Sequence, residues 1–392
     1  MREGIFHHSN WPMVEIGTVC ELVSRGTSPN YDEDGDVRAI GQRCVQVNGF
    51  TPAFLRRHKP LGSREVAPQN GDVLLNSTGT GTIGRSCIFS GDGHFMVDSH
   101  VTILRPGNEL DSRWLNLLLR SFSGQQYLES YCFVGSTGQV ELSRTEVIAT
   151  RIPLPPLVEQ RRIAEILDEV DAQIDYLHRA EQKKRSTNEG ISSNLLAGDE
   201  HWKAVPLGEL GRVVTGRTPV VDVTDGTSAH IPFVTPTEIS DEGGIDYPER
   251  AAEEGADGVV CIPSGATLTV CIGFGIGKVG FLGFDACVNQ QINALIPNLG
   301  MDEAFVFHSL KSASRRIQAQ SSLQVTPIIN KTEFSKITIG VPNLAEQIRI
   351  SQIIADANAE ADVHQREIVK LQTVKQTIMA ELLTGKARVP AV

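Results

Sequence analysis

The feature that most constrains this chain is an internal duplication that covers nearly all of its 392 residues. Residues 11–17, Trp-Pro-Met-Val-Glu-Ile-Gly, return as residues 202–208, Trp-Lys-Ala-Val-Pro-Leu-Gly. The glycine-rich stretch 79–85 returns as residues 273–278, with small insertions between the matching segments. Within each copy, short runs rich in β-forming residues are cut by Gly, Pro and Asn. The repeat therefore predicts two similar β-rich globular units, each with its own core.

Each copy ends in a segment of a different character. Residues 155–198 match residues 342–385 without a gap, and in both segments apolar residues recur at alternating spacings of four and three. This spacing is the a/d pattern of a coiled coil. It predicts a helix from Leu157 to Leu196, about 60 Å long, and an equal helix in the second copy.

The a/d pattern of both helices is interrupted by polar residues. One interpretation is that these side chains are solvated at the edge of the helix pair. The other is that they mark where helices of another subunit join, because two isolated helices with interrupted seams form a weak unit. We therefore take as candidate partner-binding residues the polar interruptions and the Glu-Gln pairs that open the helices: Glu159, Gln160, Lys184, Asn188, Glu346, Gln347 and Lys375.

The order of segments predicts an α+β protein in which two β-rich mixed domains each precede a long helix. We expect globular domains at 1–156 and 199–342, helices at 157–198 and 343–385, and a tail at 386–392. If the two helices form an antiparallel coiled coil, a pseudo-twofold axis relates the two domains. Duplex DNA has the same symmetry in its backbones, so such a protein suits two half-sites whose separation the helix length sets.

Charge and cysteine content limit the class of protein. Lys+Arg 36 against Asp+Glu 47 gives a net charge of −11, the wrong sign for a protein that binds phosphates unaided. Nucleic-acid binding would need local basic patches or a basic partner. The seven scattered cysteines, never spaced Cys-x-x-Cys, favour a reducing cytoplasm over a disulfide framework. No membrane-spanning run and no signal peptide is expected.

Two motifs resemble those of a known family. Residues 153–160, Pro-Leu-Pro-Pro-Leu-Val-Glu-Gln, with the heptads that follow, resemble the central conserved region of type I restriction–modification specificity subunits. Residues 71–85 resemble the glycine loop of their target recognition domains. The second helix departs from the pattern, because Pro342-Asn343 replaces the double proline.

The resemblance implies a DNA-binding, non-catalytic subunit that selects a bipartite double-stranded DNA sequence. Methyltransferase subunits would clasp the helices, and restriction subunits would join them. No cofactor is expected on this chain, whereas S-adenosylmethionine, ATP and Mg²⁺ are expected on the partner subunits. A membrane is not among the expected partners.

The chemistry of an enzyme is not indicated. The strings Gly79-x-Gly81-x-x-Gly84 and Gly275-x-Gly277-x-x-Gly280 fit a dinucleotide fingerprint, but strand-like residues follow both where a helix is required. A glycine-rich β-turn is the simpler interpretation, with backbone amides that could approach a phosphate. We predict no catalytic, cofactor-binding or metal-ligating residue.

Residues that read DNA are expected in loops that carry Arg, Lys, Gln or Thr, because these groups match the donors and acceptors of base edges. The pairs Asp98-Ser99 and Asn289-Gln290 are assigned instead to core strands with a structural role. The candidate DNA-binding residues are Arg43, Thr78, Thr80, Thr82, Arg85 and Gln139 in the first copy and Lys278 and Gln324 in the second.

Two other functions remain open at this point. The acidic balance also suits a coiled-coil scaffold that binds proteins and never contacts DNA. The hypothesis of a cofactor-binding enzyme rests on the glycine strings alone, and it predicts that a bound nucleotide remains after purification.

Overall fold

The computed structural model describes residues 4–5, 10–62, 65–136, 139–218, 230–253, 259–273, 275–321 and 328–389. The chain divides into two compact units, and the division falls inside both long helices. The first unit comprises Met1–Leu177 and Glu367–Val392, and the second comprises His178–Arg366.

The first unit is built from short strands and helices. Its strands are β1 (Met13–Glu15), β2 (Cys20–Arg25), β3 (Val37–Ile40), β4 (Val45–Gln46), β5 (Gly49–Phe50), β6 (Arg56–His58), β7 (Val73–Asn76), β8 (Ser86–Ile88), β9 (Phe95–Val97), β10 (Val101–Pro106), β11 (Phe133–Ser136), β12 (Gln139–Leu142) and β13 (Arg151–Pro153). Its short helices are α1 (Ile16–Val19), α2 (Ser112–Arg120), α3 (Phe122–Tyr127) and α4 (Arg144–Ala149), followed by the long helix α5 (Leu157–Leu196).

The second unit repeats this order. Its strands are β14 (Lys203–Pro206), β15 (Gly211–Thr215), β16 (His230–Val234), β17 (Ala251–Glu253), β18 (Cys261–Ile262), β19 (Thr267–Val270), β20 (Val279–Phe281), β21 (Ala286–Val288), β22 (Ile292–Pro297) and β23 (Thr338–Val341). Its helices are α6 (Leu207–Leu210), α7 (Glu303–Ser321), α8 (Lys331–Lys336) and the long α9 (Leu344–Thr384).

The sheets of the two units have the same topology. The antiparallel order β2-β10-β7-β8 in the first unit matches β15-β22-β19-β20 in the second. A second sheet of three strands, β6-β3-β9, corresponds to β17-β16-β21, to which the second unit adds β18 as a fourth strand. In both sheets one pair of strands is parallel, β3 with β9 and β16 with β21. The strand that opens each unit pairs with the strand before its long helix, β1 with β13 and β14 with β23. The duplication in the sequence is therefore a duplication of fold.

Each unit has an aromatic pair in the core beside the end of a long helix. Trp11 meets Trp114 edge to face, with ring centroids 5.6 Å apart, and Trp114 donates to the Pro153 carbonyl at 3.0 Å. In the second unit, Trp202 meets Phe305 at 5.7 Å. Central strands such as β7 and β19 are buried along their whole length, which explains their continuous apolar character.

The long helices pair antiparallel in each unit. In the first, Ile163 and Leu167 near the start of α5 share a core with Leu382 near the end of α9. In the second, Ile350 near the start of α9 shares a core with Leu195 near the end of α5. These contacts confirm the predicted fold class, an α+β chain with two β-rich mixed domains and an antiparallel helix pair.

Candidate nucleic-acid interface

Four turns converge at one end of the sheets in the first unit. Thr27 N–H donates to Val97 O at 2.9 Å, Asp98 N–H to Ile40 O at 3.0 Å, and Ser77 N–H to His100 O at 2.8 Å. These backbone bonds join residues 26–28, 41–43, 77–85 and 98–100, which we call the first-unit turn cluster.

The second unit contains the same arrangement. Arg217 N–H donates to Val288 O at 2.9 Å, Asn289 N–H to Val234 O at 3.1 Å, and Cys271 N–H to Gln291 O at 2.7 Å. The second-unit turn cluster comprises residues 216–218, 235–237, 271–273, 275–278 and 289–291. Equivalent backbone groups thus hold equivalent turns in both units.

A glycine at the same place in each cluster allows this close approach. A Cβ on Gly26 would lie 2.1 Å from Val97 O, and a Cβ on Gly216 would lie 2.2 Å from Asn289 O. No side chain fits at these distances. Both copies of the repeat therefore have glycine at this position, because any larger residue would separate the turns.

Two predicted residues, Thr78 and Thr82, lie together around Gln42. The Gln42 Nε2 donates to Thr78 Oγ1 at 3.1 Å, and Thr82 Oγ1 donates to Gln42 Oε1 at 2.9 Å. Thr78 Oγ1 also lies 2.7 Å from Nδ1 of His100. Gly79 has φ +99°, and a Cβ there would meet the Gln42 side chain at 2.1 Å. The glycine turn therefore admits Gln42 into its centre.

The two predicted arginines of this cluster have neutral neighbours. The exposed Arg43 lies over the Phe54 ring at 4.4 Å, and Arg85 donates to Gly81 O at 2.9 Å. Among the residues that the structure describes, neither guanidinium contacts a carboxylate. Thr80 is exposed at the tip of the turn. Two positive charges and an exposed hydroxyl are thus available to an anionic ligand.

A second set of charges borders the first-unit cluster. Arg25 pairs with Glu141 at 2.8 Å, and this hydrogen bond and charge hold the pKa of Glu141 below its usual value. Tyr31 donates to Asp98 at 3.0 Å while Arg56 lies 3.5 Å from its ring centroid. Burial, with the Asp98 charge, raises the pKa of Tyr31 to about 12. This phenol stays protonated as a donor at neutral pH.

The second-unit cluster is less basic. Lys278 occupies the position of Arg85 but pairs with Asp241 at 3.0 Å. The second-unit cluster is also bordered by Glu238, which accepts from Thr235 N–H at 2.7 Å and from Thr237 Oγ1 at 2.9 Å. Burial alone would raise the pKa of Glu238, but these hydrogen bonds lower it below its usual value.

Two predicted residues fall at the limits of the described chain. Gln324 lies outside the described residues. Only the backbone of Gln139 is described: it lies in β12 and pairs with Ser136. The β11–β12 hairpin adjoins the first-unit cluster, because Leu142 N–H donates to Ser77 O at 2.8 Å.

The assignment of Asp98-Ser99 and Asn289-Gln290 to core strands is wrong. Strand β9 ends at Val97 and β21 ends at Val288, so both pairs begin turns. The Asp98 Oδ1 accepts from His100 N–H at 2.9 Å, and Asn289 Oδ1 accepts from Gln291 N–H at 3.0 Å. Asp and Asn form such turns without Gly or Pro, which concealed them.

Three side chains of the clusters were missed by sequence reasoning: Gln42, His100 and Gln291. All three lie against the glycine turns. An Asp or Asn directly after an apolar run, two residues before His100 or Gln291, is the local signal that could have found the last two.

The polar interruptions of the helix seam contact the other helix of the same chain. Lys375 pairs with Asp171, and Lys184 pairs with Glu360. Asn188 is 3% exposed, and its Nδ2 donates to Ala357 O at 2.7 Å. Each of these side chains therefore bridges α5 and α9 within the chain.

The residues that open the helices also act within the chain. Gln160, fully buried, accepts from Asp111 N–H at 2.8 Å and donates to Glu109 O at 2.9 Å and to Pro155 O at 2.8 Å. Its equivalent, Gln347, accepts from Asp302 N–H at 3.0 Å and donates to Pro342 O at 2.9 Å. Both glutamines fix the start of a long helix to the start of a shorter one.

The two glutamates beside them differ. Glu159 is 6% exposed and binds both Nε and Nη2 of Arg388, at 2.7 and 2.9 Å. The more exposed Glu346 pairs with Arg349 of its own helix at 2.6 Å. Glu346 alone of the four helix-opening residues keeps a partly exposed side chain.

The exposed faces of the long helices carry apolar side chains that the sequence analysis did not select. Tyr176 on α5 is 66% exposed, and Val363, its equivalent on α9, is 50% exposed. Others on these helices are Val158, Ile191, Leu344, Ile348, Val369 and Val374. These exposed apolar side chains are candidates for contact with a protein partner.

Metal and membrane sites are not indicated in the described ranges. No group of three or more His, Cys, Asp or Glu side chains there is placed to hold a metal ion. None of the helices described is both long enough and apolar enough to cross a bilayer.

Known proteins resemble this chain over almost its full length. The putative type I restriction enzyme MjaX specificity subunit of Methanocaldococcus jannaschii is 24% identical over 97% of this chain and 94% of its own. A chain from a study of complex assembly and conformational transition of the type I R-M system covers 96% of this chain and 98% of its own, with TM-score 0.64 and 19% identity. The S subunit from M. genitalium covers 95% and 96%, with TM-score 0.59 and 16% identity.

A family model settles the assignment. The type I restriction modification DNA specificity domain matches residues 8–184 and again residues 199–373, one match for each copy of the repeat. A role in DNA sequence recognition follows, and the scaffold that never contacts DNA is not supported. The matched relatives are type I restriction enzyme specificity subunits. The chain belongs to the family of type I restriction–modification DNA specificity subunits.

Proposed function

We propose that each unit reads one half of a bipartite double-stranded DNA target through its turn cluster. The observation that carries this proposal is that equivalent backbone bonds hold different side chains in the two clusters. Arg43, Arg85 and His100 of the first unit correspond to Thr237, Lys278 and Gln291 of the second. A constant framework with different exposed donors and acceptors suits two half-sites of different sequence.

The charges of the clusters support unequal roles in holding the DNA backbone. Arg43 and Arg85 have no carboxylate partner among the described residues, so both can contact phosphates. In the second unit, Lys278 is already paired with Asp241. Since the whole chain carries −11, we expect the partner subunits to supply much of the attraction for DNA.

A specificity subunit acts with DNA and with methyltransferase subunits. We assign methyltransferase docking to the exposed apolar faces of α5 and α9, where the equivalent residues Tyr176 and Val363 offer one site in each unit. Equivalent sites favour two copies of the same partner. Restriction subunits would join this complex, and S-adenosylmethionine, ATP and Mg²⁺ would be held by the partners. The free cysteines fit work in the cytoplasm.

Methylation mapping tests the proposal most directly. The chain is expressed with its methyltransferase subunits in a host that lacks adenine methylation, and methylated bases are mapped across the genome. We expect one split motif, two short specific parts around a fixed unread gap, which disappears when this chain is omitted. A continuous motif would mean that one unit alone reads DNA, and no motif despite co-purification would contradict the proposal.

The phosphate contacts are tested by Arg43→Ala with Arg85→Ala. We expect weaker binding of the complex to every duplex and a salt dependence of binding (slope of log K against log salt) reduced by about two. The control is Arg38→Ala, an exposed arginine on β3 outside the cluster. Equal salt slopes in the double variant and the control would show that these two arginines do not contact phosphates.

A further inference from the structure

His100 and Gln291 occupy the same backbone position in the two turn clusters. His100 O accepts from Ser77 N–H at 2.8 Å, and Gln291 O accepts from Cys271 N–H at 2.7 Å. Each follows a buried residue, Asp98 at 5% exposure or Asn289 at 8%, whose side chain accepts its backbone N–H. The backbone is therefore fixed alike in both units, while the side chains differ.

The hydrogen bonds around Thr78 determine what His100 presents. Thr78 Oγ1 accepts from Gln42 Nε2 at 3.1 Å and lies 2.7 Å from His100 Nδ1. Since the hydroxyl has one hydrogen to give, donation to Nδ1 satisfies all three groups and leaves the hydrogen of a neutral ring on Nε2. His100 is exposed, so this Nε2–H is a donor that a ligand can reach.

Gln291 presents a different pattern. Its Oε1 accepts from Asn289 Nδ2 at 3.0 Å, and its Nε2 donates to Ile272 O at 3.3 Å. These bonds fix the amide plane and leave one N–H hydrogen and one lone pair unused. Ile272 is the equivalent of Thr78, so both side chains are oriented by the same position of the glycine turn.

We infer that His100 and Gln291 are specificity-determining residues that each read one base in opposite halves of the target. This inference rests on the proposed function. The single donor of His100 matches an acceptor of a major-groove edge, such as guanine N7 or O6 or thymine O4. The donor and acceptor of Gln291 match adenine N6 and N7, which a histidine with one outward donor cannot match.

Reciprocal substitutions test the inference. His100→Gln and Gln291→His are expressed separately with the methyltransferase subunits, and the methylated motif is mapped for each. We expect His100→Gln to change the preferred base at one position of one half, with discrimination altered about tenfold or more, while the other half is unchanged. Gln291→His should change one position of the other half only.

The matched control is His94→Gln. His94 is exposed and pairs with Glu65 through Nε2 at 2.9 Å, and it lies at the opposite end of β9 from His100. We expect its motif to equal that of the unsubstituted chain. A changed motif in this control would overturn the inference, because the effect would not belong to the turn cluster.

The outcomes separate the inference from the function beneath it. If the unsubstituted chain gives a split motif and both exchanges leave it unchanged, the inference is overturned and the proposed function stands. A uniform drop in methylation with the same motif means a structural role and overturns it as well. If His100→Gln abolishes methylation, the motif of Gln291→His tests the inference: a change at one position supports it, and an unchanged motif overturns it. Absence of any motif with the unsubstituted chain contradicts the proposed function itself.

Discussion

In both units a tryptophan packs on the glycine that follows a long helix, but the tryptophan comes from a different part of the sequence in each unit. In the second unit, the tryptophan that covers Gly198 is Trp202, four residues later. In the first unit, Gly385 is covered by Trp11, from the opposite end of the sequence. Both glycines have φ near +70°, at +72° and +71°. The same tryptophan–glycine packing therefore occurs in both units, although in the first unit the two residues are distant in sequence.

The difference between the two helix ends lies in their charges. In the first unit, Arg388 follows Gly385, binds the buried Glu159 and lies 5.6 Å from the Trp11 ring. In the second unit, Glu346 is satisfied by Arg349 on the next turn of the same helix. Where the backbone is continuous, a local ion pair suffices. Where the segments are distant in sequence, a bidentate ion pair joins them.

The largest expected effect concerns the buried glutamines that start the helices. Gln160→Ala should lower the free energy of unfolding by about 3 kcal/mol and Gln347→Ala by about 2 kcal/mol, because the first substitution removes the side-chain partner of three backbone groups and the second removes that of two. Chemical denaturation, followed by tryptophan fluorescence, measures both. In a Trp202→Phe background, only the two tryptophans of the first unit report.

Gln352→Ala is the control for these glutamine substitutions. Gln352 is exposed on α9 and bonds Asp356 on the same helix, so its loss should cost less than about 0.5 kcal/mol. If Gln160→Ala and Gln352→Ala cost the same, the hydrogen bonds of the buried Gln160 side chain do not stabilise the helix start.

The next effect is a pH dependence of stability that arises from a histidine in the second unit. His308 on α7 lies six residues after Asp302, where the first unit has Leu117 six residues after Asp111. Burial, with the nearby Lys311 charge, lowers the pKa of His308 from 6.5 to about 4. Between these values the unfolded chain binds a proton that the folded chain does not, so stability falls as pH falls. We expect about 2 kcal/mol from this group between pH 7 and pH 4.5.

His308→Leu, which copies the first unit, tests the sign. Urea unfolding at several pH values should show a flatter dependence on pH for this variant than for the unsubstituted chain. The two dependences should diverge as the pH falls through the range from 6.5 to about 4. Parallel curves would mean that His308 takes up its proton in the folded state without cost.

The fold could be predicted because its signals are repeated and periodic. The gap-free offset and the four–three spacing placed a helix at Leu157–Leu196, which is the span of α5. Gly26 and Gly216 stand at equivalent positions of the repeat, and the Cβ distances show why both positions require glycine. Pairing of the strands across each sheet depends on contacts between distant residues, which no local spacing encodes.

The candidate site was only partly within reach of the sequence. Thr78, Thr82 and Arg85 could be selected because they surround glycines, but Gln42 comes from a distant turn and its role is tertiary. Glutamine is a residue type common on helix surfaces, and only the tertiary position of Asp111 shows that Gln160 is buried and hydrogen-bonded. Exposure is decided by the whole fold, so residue type alone could not separate these roles.

A smaller effect is expected at the helix seam of the second unit. Asn188 is 3% exposed, and its Oδ1 is buried without a hydrogen-bond partner among the described residues. Asn188→Leu should stabilise the second unit by about 1 kcal/mol, because an apolar side chain removes the unsatisfied oxygen and extends the seam. Denaturant unfolding, compared between this variant in the full chain and in the Trp202→Phe background, measures this. A loss of stability would show that the bond to Ala357 O outweighs the unpaired oxygen.

The smallest effect compares two equivalent seam pairs. Lys375 with Asp171 in the first unit corresponds to Asn188 with Asn358 in the second, where the amide Nδ2 lies 3.4 Å from Oδ1. Lys375→Asn or Asp171→Asn alone should cost about 0.5–1 kcal/mol, since the Lys375 side chain is 20% exposed and that of Asp171 is 41% exposed. The double variant, which copies the second unit, should cost less than the sum of the two, and the shortfall should shrink at high salt. Strict additivity would mean that this ion pair contributes nothing, and that the two units differ at this position in charge alone.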